Sequence, residues 1–283
     1  KMHRLFLAAT AVVATAVASL ATGPAAAASV EFRELVARVT VIPEARNDIQ
    51  VDVLSRHPGL PIRVKTEGGK VVVDGNLARR IRDCSTAGGR PLIRVAGVGD
   101  VPWSQMPQLV VRTPRGVEIS AGGAVFGAIG RSGSLDLAQV GCGDWIAANV
   151  AGPLRLSLAG SGDMQVGSSR SARLRLTGSG DILAGPVAGS LDAEVGGSGD
   201  VTAARVAGDL TVEVAGSGGV TVHGGQAPVM KVGIAGSGDV VFGGVAESLK
   251  ARITGSGEIR VRRVTGTVER RVLGSGGVRI GGR

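Results

Sequence analysis

The chain has 283 residues and a formal net charge of +9, and 43% of its residues are hydrophobic. Glycine occurs 47 times, whereas tryptophan occurs twice, phenylalanine four times and tyrosine not at all. Glycine-rich chains without a repeat are typically disordered, but this chain is strongly periodic and rich in β-branched residues, which excludes that class. Small aliphatic side chains must fill its core.

The first 28 residues have the layout of a secretory signal peptide. A basic start at His3 and Arg4 precedes the apolar run Leu5–Leu20, and small residues follow. This predicts cleavage near Ala28–Ser29 and export to the periplasm, the cell surface or the medium. A membrane anchor is the alternative, but the apolar run is short for a span. No later stretch is apolar enough, so we expect no membrane span in the mature chain.

Residues 29–115 contain short runs typical of β-strands, separated by turn signals. The runs are "RVTVIP", "DIQVDVL", "LPIRVKT", "KVVVDG", "LIRVAGVGD" and "QLVVRT". No long polar linker follows them, so we predict a single domain over residues 29–283. Within it we expect irregular β coils over 29–115 and regular coils over 116–283. A small β cap over the first segment is the alternative.

Cys84 and Cys142 are the two cysteines of the chain. In an exported protein they can form a disulfide, and two buried free thiols are the alternative. The spacing alone does not decide between them, because it does not place the two Cα atoms within bridging distance.

A short phrase of the type "GSGD" recurs through the second half of the chain. Its first glycine falls at positions 141, 160, 178, 197, 216, 236, 255 and 274, which gives a repeat of about 19 residues. In the first copy, "GCGD", Cys142 stands where the later copies have serine. A repeat of this length is typical of a solenoid, since a propeller blade needs about 40 residues.

Hydrophobic and polar residues alternate on both sides of each phrase. In "LTVEVAGSGGVTVHG" the residues Leu210, Val212 and Val214 share one face, and Val220 and Val222 continue it after the glycines. This alternation predicts two half-buried strands per copy, joined by a tight Gly-Ser-Gly turn. One copy cannot bury its apolar face alone, so successive copies must stack in parallel. We therefore predict an all-β fold, a right-handed parallel β-helix (a β-solenoid).

A signal peptide, a looser β segment and a run of "GSGD" phrases together resemble the auto-transporter adhesin head family, also called the GIN domain. The resemblance covers most of the mature chain. It implies a β-helix related in shape to pectin lyases, no established catalytic residues and a role in cell adhesion.

Acidic residues follow most of the phrases and would stack as a ladder along the solenoid. They are Asp144, Asp163, Asp181, Asp200, Asp239 and Glu258. Stacked carboxylates repel one another, so we expect each to accept hydrogen bonds from backbone N–H groups of its own turn. A calcium ladder is the alternative. Each coil supplies a single carboxylate and calcium takes six to eight oxygen ligands, so we assign no metal.

Arginines cluster near the C-terminus, at Arg252, Arg260, Arg262, Arg263, Arg270, Arg271 and Arg279. They predict either a surface for an anionic partner or a charged end that prevents the last coil from stacking on another chain. Arg270 occupies an inward-facing position of the repeat, which indicates that its coil is the last one.

The sequence favours a non-catalytic exported β-solenoid that presents a binding surface for cell adhesion or cell-envelope association. An anionic envelope surface or an acidic glycan is the expected partner, and nucleic acid is not, because aromatic stacking platforms are lacking. The alternative is a polysaccharide-binding or pectin-lyase-like, glycan-active protein, which would need long loops to build a cleft. We expect no catalytic residues, no metal and no cofactor, and the oligomeric state is left open.

Overall fold

The computed structural model describes residues 28–281 of the chain. The predicted signal peptide, apart from Ala28, lies outside the described residues.

The first part of the described chain contains nine strands and one 3-10 helix. The strands are β1 (Ala28–Glu44), β2 (Gln50–Ser55), β3 (Arg63–Glu67), β4 (Lys70–Asp74), β5 (Ile81–Ala87), β6 (Arg90–Val95), β7 (Gly99–Pro102), β8 (Gln108–Pro114) and β9 (Gly116–Ile129), and the 3-10 helix is Trp103–Gln105.

The remaining strands belong to the regular repeat. They are β10 (Ser134–Gly141), β11 (Trp145–Ala147), β12 (Pro153–Gly160), β13 (Met164–Val166), β14 (Ser171–Gly178), β15 (Ile182–Val187), β16 (Leu191–Gly197), β17 (Val201–Val206), β18 (Leu210–Gly216), β19 (Val220–Val222), β20 (Gln226–Gly236), β21 (Val240–Gly255), β22 (Glu258–Val264), β23 (Val268–Leu273) and β24 (Gly277–Ile280).

These strands stack in parallel into two walls, which confirms the predicted β-solenoid. The first wall contains β10, β12, β14, β16, β18, β20, the second half of β21, and β23. The second wall contains β11, β13, β15, β17, β19, the first half of β21, then β22 and β24. Like residues lie over like: Val212 pairs with Ala193 on one side and Val232 on the other. The solenoid has about nine turns of about 19 residues.

Small aliphatic side chains fill the space between the walls. Leu210, Val212, Val214, Val220 and Val222 are each at most 2% exposed, and the equivalent residues of neighbouring coils are buried in the same way. The predicted alternation is therefore confirmed. Each such side chain contributes about 1.5–3 kcal/mol by leaving water, before the loss of chain entropy.

One tryptophan also lies inside the solenoid. Trp145 is 1% exposed, and Gly127 on the adjacent strand leaves room for its ring, since a Cβ there would lie 2.1 Å from the ring. Its indole N–H donates to the Oε1 atom of the buried Gln139 at 2.9 Å. The hydrogen bond satisfies the one polar group that the indole carries inside.

The segment before residue 116 continues the stack only in part. Strand β1 pairs in parallel with β4, β8 and β9. In contrast, β2 pairs with β8, and β3 with β4, in the antiparallel sense. Residues 29–115 thus combine parallel strand pairs with antiparallel ones.

Strands β5, β6 and β7 form a separate three-stranded antiparallel sheet, referred to below as the small sheet. It has its own buried cluster, in which Ile93, Val95 and Val101 pack with Phe126 of β9. The small sheet therefore lies against the outside of the solenoid beside β9, an arrangement that the sequence did not predict.

The described residues include no helix of the length and apolarity that crossing a membrane requires.

The glycines that close each turn give the first testable prediction. A Cβ on Gly199 would lie 1.9 Å from the carbonyl oxygen of Gly180 in the preceding coil. We expect Gly199→Ala to lower the free energy of unfolding by about 1–3 kcal/mol, because the stacked backbones would have to separate.

Gly224→Ala is the matched control, because no atom lies within 4 Å of a Cβ at that position. Denaturant unfolding of both variants measures the difference. Equal stability of the two variants would show that the coils do not pack backbone against backbone at Gly199.

Candidate functional site

The acidic ladder links one coil to the next. The Oδ1 atom of Asp144 accepts a hydrogen bond from the backbone N–H of Asp163 at 2.9 Å, and Asp163 accepts one from Asp181 at 3.0 Å. Asp181 accepts from Asp200 at 2.9 Å, and Asp200 from Gly219 at 2.7 Å. The expectation that each carboxylate bonds within its own turn was wrong: each reaches across the spacing between coils to the equivalent residue of the next one.

The last two members of the ladder behave differently from each other. Asp239 accepts from the backbone N–H of Glu258 at 2.9 Å, as in the other coils. Glu258 instead forms ion pairs with Arg260 and, at 2.6 Å, with Arg279. The described residues contain no group of three or more His, Cys, Asp or Glu side chains placed to hold a metal ion. We interpret the ladder as structural.

The C-terminal arginines are all exposed but do not form one surface. Arg252 and Arg271 are register partners on the first wall, whereas Arg260 and Arg279 are register partners on the second. Arg270 pairs with the inward-facing Ala251, yet it is exposed on the last described coil of the first wall. The charge is thus distributed around the end of the described solenoid.

Of the histidines after the predicted signal peptide, His57 has a structural partner. Its Nδ1 accepts the backbone N–H of Gly59 at 3.1 Å within a turn, while His223 is exposed.

Cys84 and Cys142 are joined by a disulfide, with their Cα atoms 6.3 Å apart. Cys84 lies on β5 of the small sheet, and Cys142 lies in the first Gly-x-Gly turn of the regular coils. The bond therefore ties the small sheet to the solenoid.

A cleft of about 560 Å³ lies between the small sheet and the second wall. Its volume falls within the range of small-molecule sites, which is roughly 300–1,000 Å³. None of the residues that line the cleft was predicted from the sequence to bind a ligand; Asp144 was predicted only as a member of the acidic ladder. The available signals were Trp103, one of two tryptophans in an aromatic-poor chain, and Ile146, a large apolar residue at an outward-facing position.

The floor of the cleft crosses neighbouring strands. Val110, Thr40, Ala128 and Ile146 lie side by side, because Thr40 pairs with both Val110 and Ala128, and Ala128 pairs with Ile146. At about 4.8 Å per strand these four positions span roughly 14 Å along the solenoid. The floor is therefore a mostly apolar strip that runs across the strands.

The apolar surface of the cleft is open to solvent. Ile146 is 59% exposed on the floor and Leu54, from β2, is 64% exposed at the rim. Pro91 of the small sheet and Trp103 also line the cleft. Large apolar side chains that are left exposed and grouped in a concavity are typical of a binding site.

One side of the cleft is an aromatic and cationic stack. The Arg38 guanidinium carbon lies 5.1 Å from the Trp103 ring centroid, and the Trp103 ring meets Phe126 edge to face at 5.4 Å. Arg38 Nε is buried and has no hydrogen-bond partner among the described residues. The stack on Trp103 holds the Arg38 guanidinium in place, and N–H groups of that guanidinium remain without an acceptor.

Asp144 is the carboxylate that lines the cleft. Although its side chain has an exposed edge, partial burial raises its pKa above the usual value. The hydrogen bond from Asp163 N–H opposes this shift, and the negative charge of Asp163 adds to it. The Asp144 carboxyl group therefore retains its proton to a higher pH than a free aspartate does.

The ladder gives a prediction that separates its charge from its hydrogen bond. We expect Asp181→Ala to destabilise the protein by about 1 kcal/mol, because it removes the acceptor for the Asp200 N–H. Asp181→Asn retains an acceptor oxygen and removes one repelling charge, so we expect its stability to change by less than about 0.5 kcal/mol. Denaturant unfolding measures both, and equal losses would rule out the hydrogen bond as the stabilising contribution.

The disulfide closes a loop with a sequence separation of 58 residues. Replacing both cysteines with serine should lower the free energy of unfolding by about 2–4 kcal/mol, since the unfolded chain regains that loop entropy. Thermal unfolding with and without reductant provides the measurement. A wild-type chain whose midpoint does not respond to reductant would contradict the prediction.

Comparisons with known proteins agree with this architecture. No curated protein is similar enough to this chain to be matched. A crystal structure described as a "Putative lipid binding protein" from Parabacteroides distasonis is 18% identical, with a TM-score of 0.53 over 90% of this chain and 92% of that chain. At this identity the likeness shows the fold alone.

The family model described as "Putative auto-transporter adhesin, head GIN domain" matches residues 187–283. The match begins after the first three glycine phrases, so it is narrower than the resemblance inferred from the sequence. Over residues 187–283 the predicted resemblance to the GIN family is confirmed.

Proposed function

We propose that this protein is an exported, non-catalytic binding protein of the cell envelope, and that the cleft holds the apolar part of its ligand. The observation that carries the proposal is the exposure of Leu54 and Ile146 beside Trp103 in a concave site of about 560 Å³. Covering two such side chains with an apolar ligand would contribute about 1.5–3 kcal/mol for each one that becomes fully buried.

A lipid-like ligand suits this surface better than a sugar. The floor offers Val110, Ala128 and Ile146 with a single hydroxyl, that of Thr40, whereas a sugar needs many polar partners for its hydroxyl groups. The structural neighbour of the same fold is described as a "Putative lipid binding protein", which favours the same class of ligand.

Adhesion is the role that the family description suggests for residues 187–283 of the solenoid. Its outer surfaces give limited support, because polar and charged positions alternate there with isolated apolar residues such as Leu183. A pectin-lyase-like enzyme would need long loops over the solenoid. From Gly141 onward the described turns stay short, which disfavours that alternative.

Ligand binding in the cleft can be measured by tryptophan fluorescence with 1-decanol as a neutral apolar probe. Trp103 lines the cleft and Trp145 is buried, so we expect a change in emission that comes from Trp103 alone. Ile146→Gln should weaken binding roughly tenfold, because it places an amide in the apolar floor.

Leu183→Gln is the matched control. Leu183 stands two coils further along the same outward-facing column, is 46% exposed and does not line the cleft. We expect it to bind decanol as the wild type does. If decanol does not bind, or if both variants lose binding equally, the cleft is not the ligand site.

Export can be tested by fractionating cells that express the full chain and treating intact cells with protease. We expect the mature protein outside the cytoplasm, and degradation by external protease if it acts in adhesion. Recovery of the uncleaved chain in the cytoplasm would contradict export, and complete protection in the periplasm would contradict adhesion to other cells.

A further inference from the structure

The charged residues around the cleft indicate the charge of its ligand, which the apolar floor does not specify. Two guanidinium groups, those of Arg38 and Arg90, line the cleft together with one carboxylate, that of Asp144. Neither arginine forms an ion pair with any carboxylate among residues 28–281. Some other arginines on the same part of the chain do have such a partner, for example Arg94 with Asp100 at 2.8 Å.

Arg38 is the better placed of the two for recognising an anion. The Trp103 ring lies over its guanidinium, and its Nε is buried without a partner. A charged acceptor in the cleft would form charge-assisted hydrogen bonds with the outer nitrogens of this guanidinium, since Nε itself is closed to solvent. The stack on Trp103 also fixes the fork of donors, so little side-chain entropy is lost when an anion binds.

Arg90 approaches the same cleft from the small sheet. It follows the turn glycines Gly88 and Gly89, and its side chain is exposed. Being exposed, it contributes mainly a long-range attraction that salt weakens. The two arginines thus give the cleft a positive potential, which Asp144 only partly offsets.

We propose that the cleft binds a single-chain amphiphile with an anionic head, such as a fatty-acid carboxylate or an alkyl phosphate, with its chain over Ile146 and its head at Arg38 and Arg90. This inference rests on the proposed function, because it takes the apolar floor as the seat of the chain. It adds the charge of the head group, which the floor does not specify.

Titrations with decanoate, decyl phosphate and 1-decanol test the proposal, since the three probes share one chain length. We expect both anions to bind at least tenfold more tightly than decanol, and octanoate to bind roughly tenfold more weakly than decanoate, because two methylenes are lost. Inorganic phosphate alone should cause no change in Trp103 emission at the same concentrations.

Variants of the charged residues separate the head from the chain. Arg38→Gln should weaken decanoate binding roughly tenfold and weaken decanol binding by a smaller factor, as expected for loss of one charge-assisted hydrogen bond. Arg90→Gln should weaken decanoate binding less, and only at low salt. Asp144→Asn should strengthen decanoate binding, because it removes the opposing charge and retains the acceptor for Asp163 N–H.

Arg82→Gln is the matched control, because Arg82 is an exposed arginine of the same small sheet that does not line the cleft. If Arg38→Gln alters the fold, Arg90→Gln and Asp144→Asn still test the sign of the charge effect. Equal affinity for decanol and decanoate would overturn the anionic head and leave the apolar site intact. Failure of every probe to bind would overturn the proposed function itself.

Discussion

Direct contact of backbone on backbone at the Gly-x-Gly turns determines the rest of this structure. At Gly162, Gly180 and Gly199 a Cβ would lie 1.9–2.1 Å from a carbonyl oxygen of the preceding coil, a distance that no side chain tolerates. The coils can approach to β-sheet spacing all round only because both glycines of each turn are kept. That spacing in turn lets each aspartate of the ladder reach an N–H group of the next coil, and it places valine over valine inside the solenoid.

The cleft forms where this regularity begins to fail. The register of β1 against β9 shifts between Phe32 and Leu35, next to Glu34 with a φ of 48°. The start of β9 pairs with β10 in the first wall and its end pairs with β11 in the second wall, and β1 follows β9 along both parts. These two strands therefore pass from one wall to the other without the Gly-Ser-Gly turn that later coils use. The small sheet packs beside this irregular part, and the disulfide from Cys84 ties it to Cys142 in the first Gly-x-Gly turn. Between its edge and the second wall, the outward-facing residues Ala128 and Ile146 remain uncovered.

The periodic part of the fold was predictable from the sequence because each of its coils repeats the same local rule. Alternation around Val212 and Val232 defines the inward face, and the glycine spacing defines the length of a coil. The small sheet was not predictable in this way, since its strands pair in the antiparallel sense and do not follow the repeat. In the first phrase, Cys142 stands where the later phrases have serine, and this was the available sign that another element contacts this turn.

The candidate site was not predictable for a similar reason. Ile146 and Trp103 come together only through tertiary packing, so their spacing along the chain could not join them into a site. The direction of the ladder's hydrogen bonds also depends on contacts between coils, which the sequence of one turn does not contain.

A crystal structure of the protein with bound decanoate would test these conclusions most directly. We expect the alkyl chain to lie over Thr40, Ala128 and Ile146, with its carboxylate within hydrogen-bond distance of Arg38. A chain bound elsewhere on the solenoid, or a Trp103 ring that fills the cleft in place of the ligand, would contradict the assignment of this cleft as the binding site.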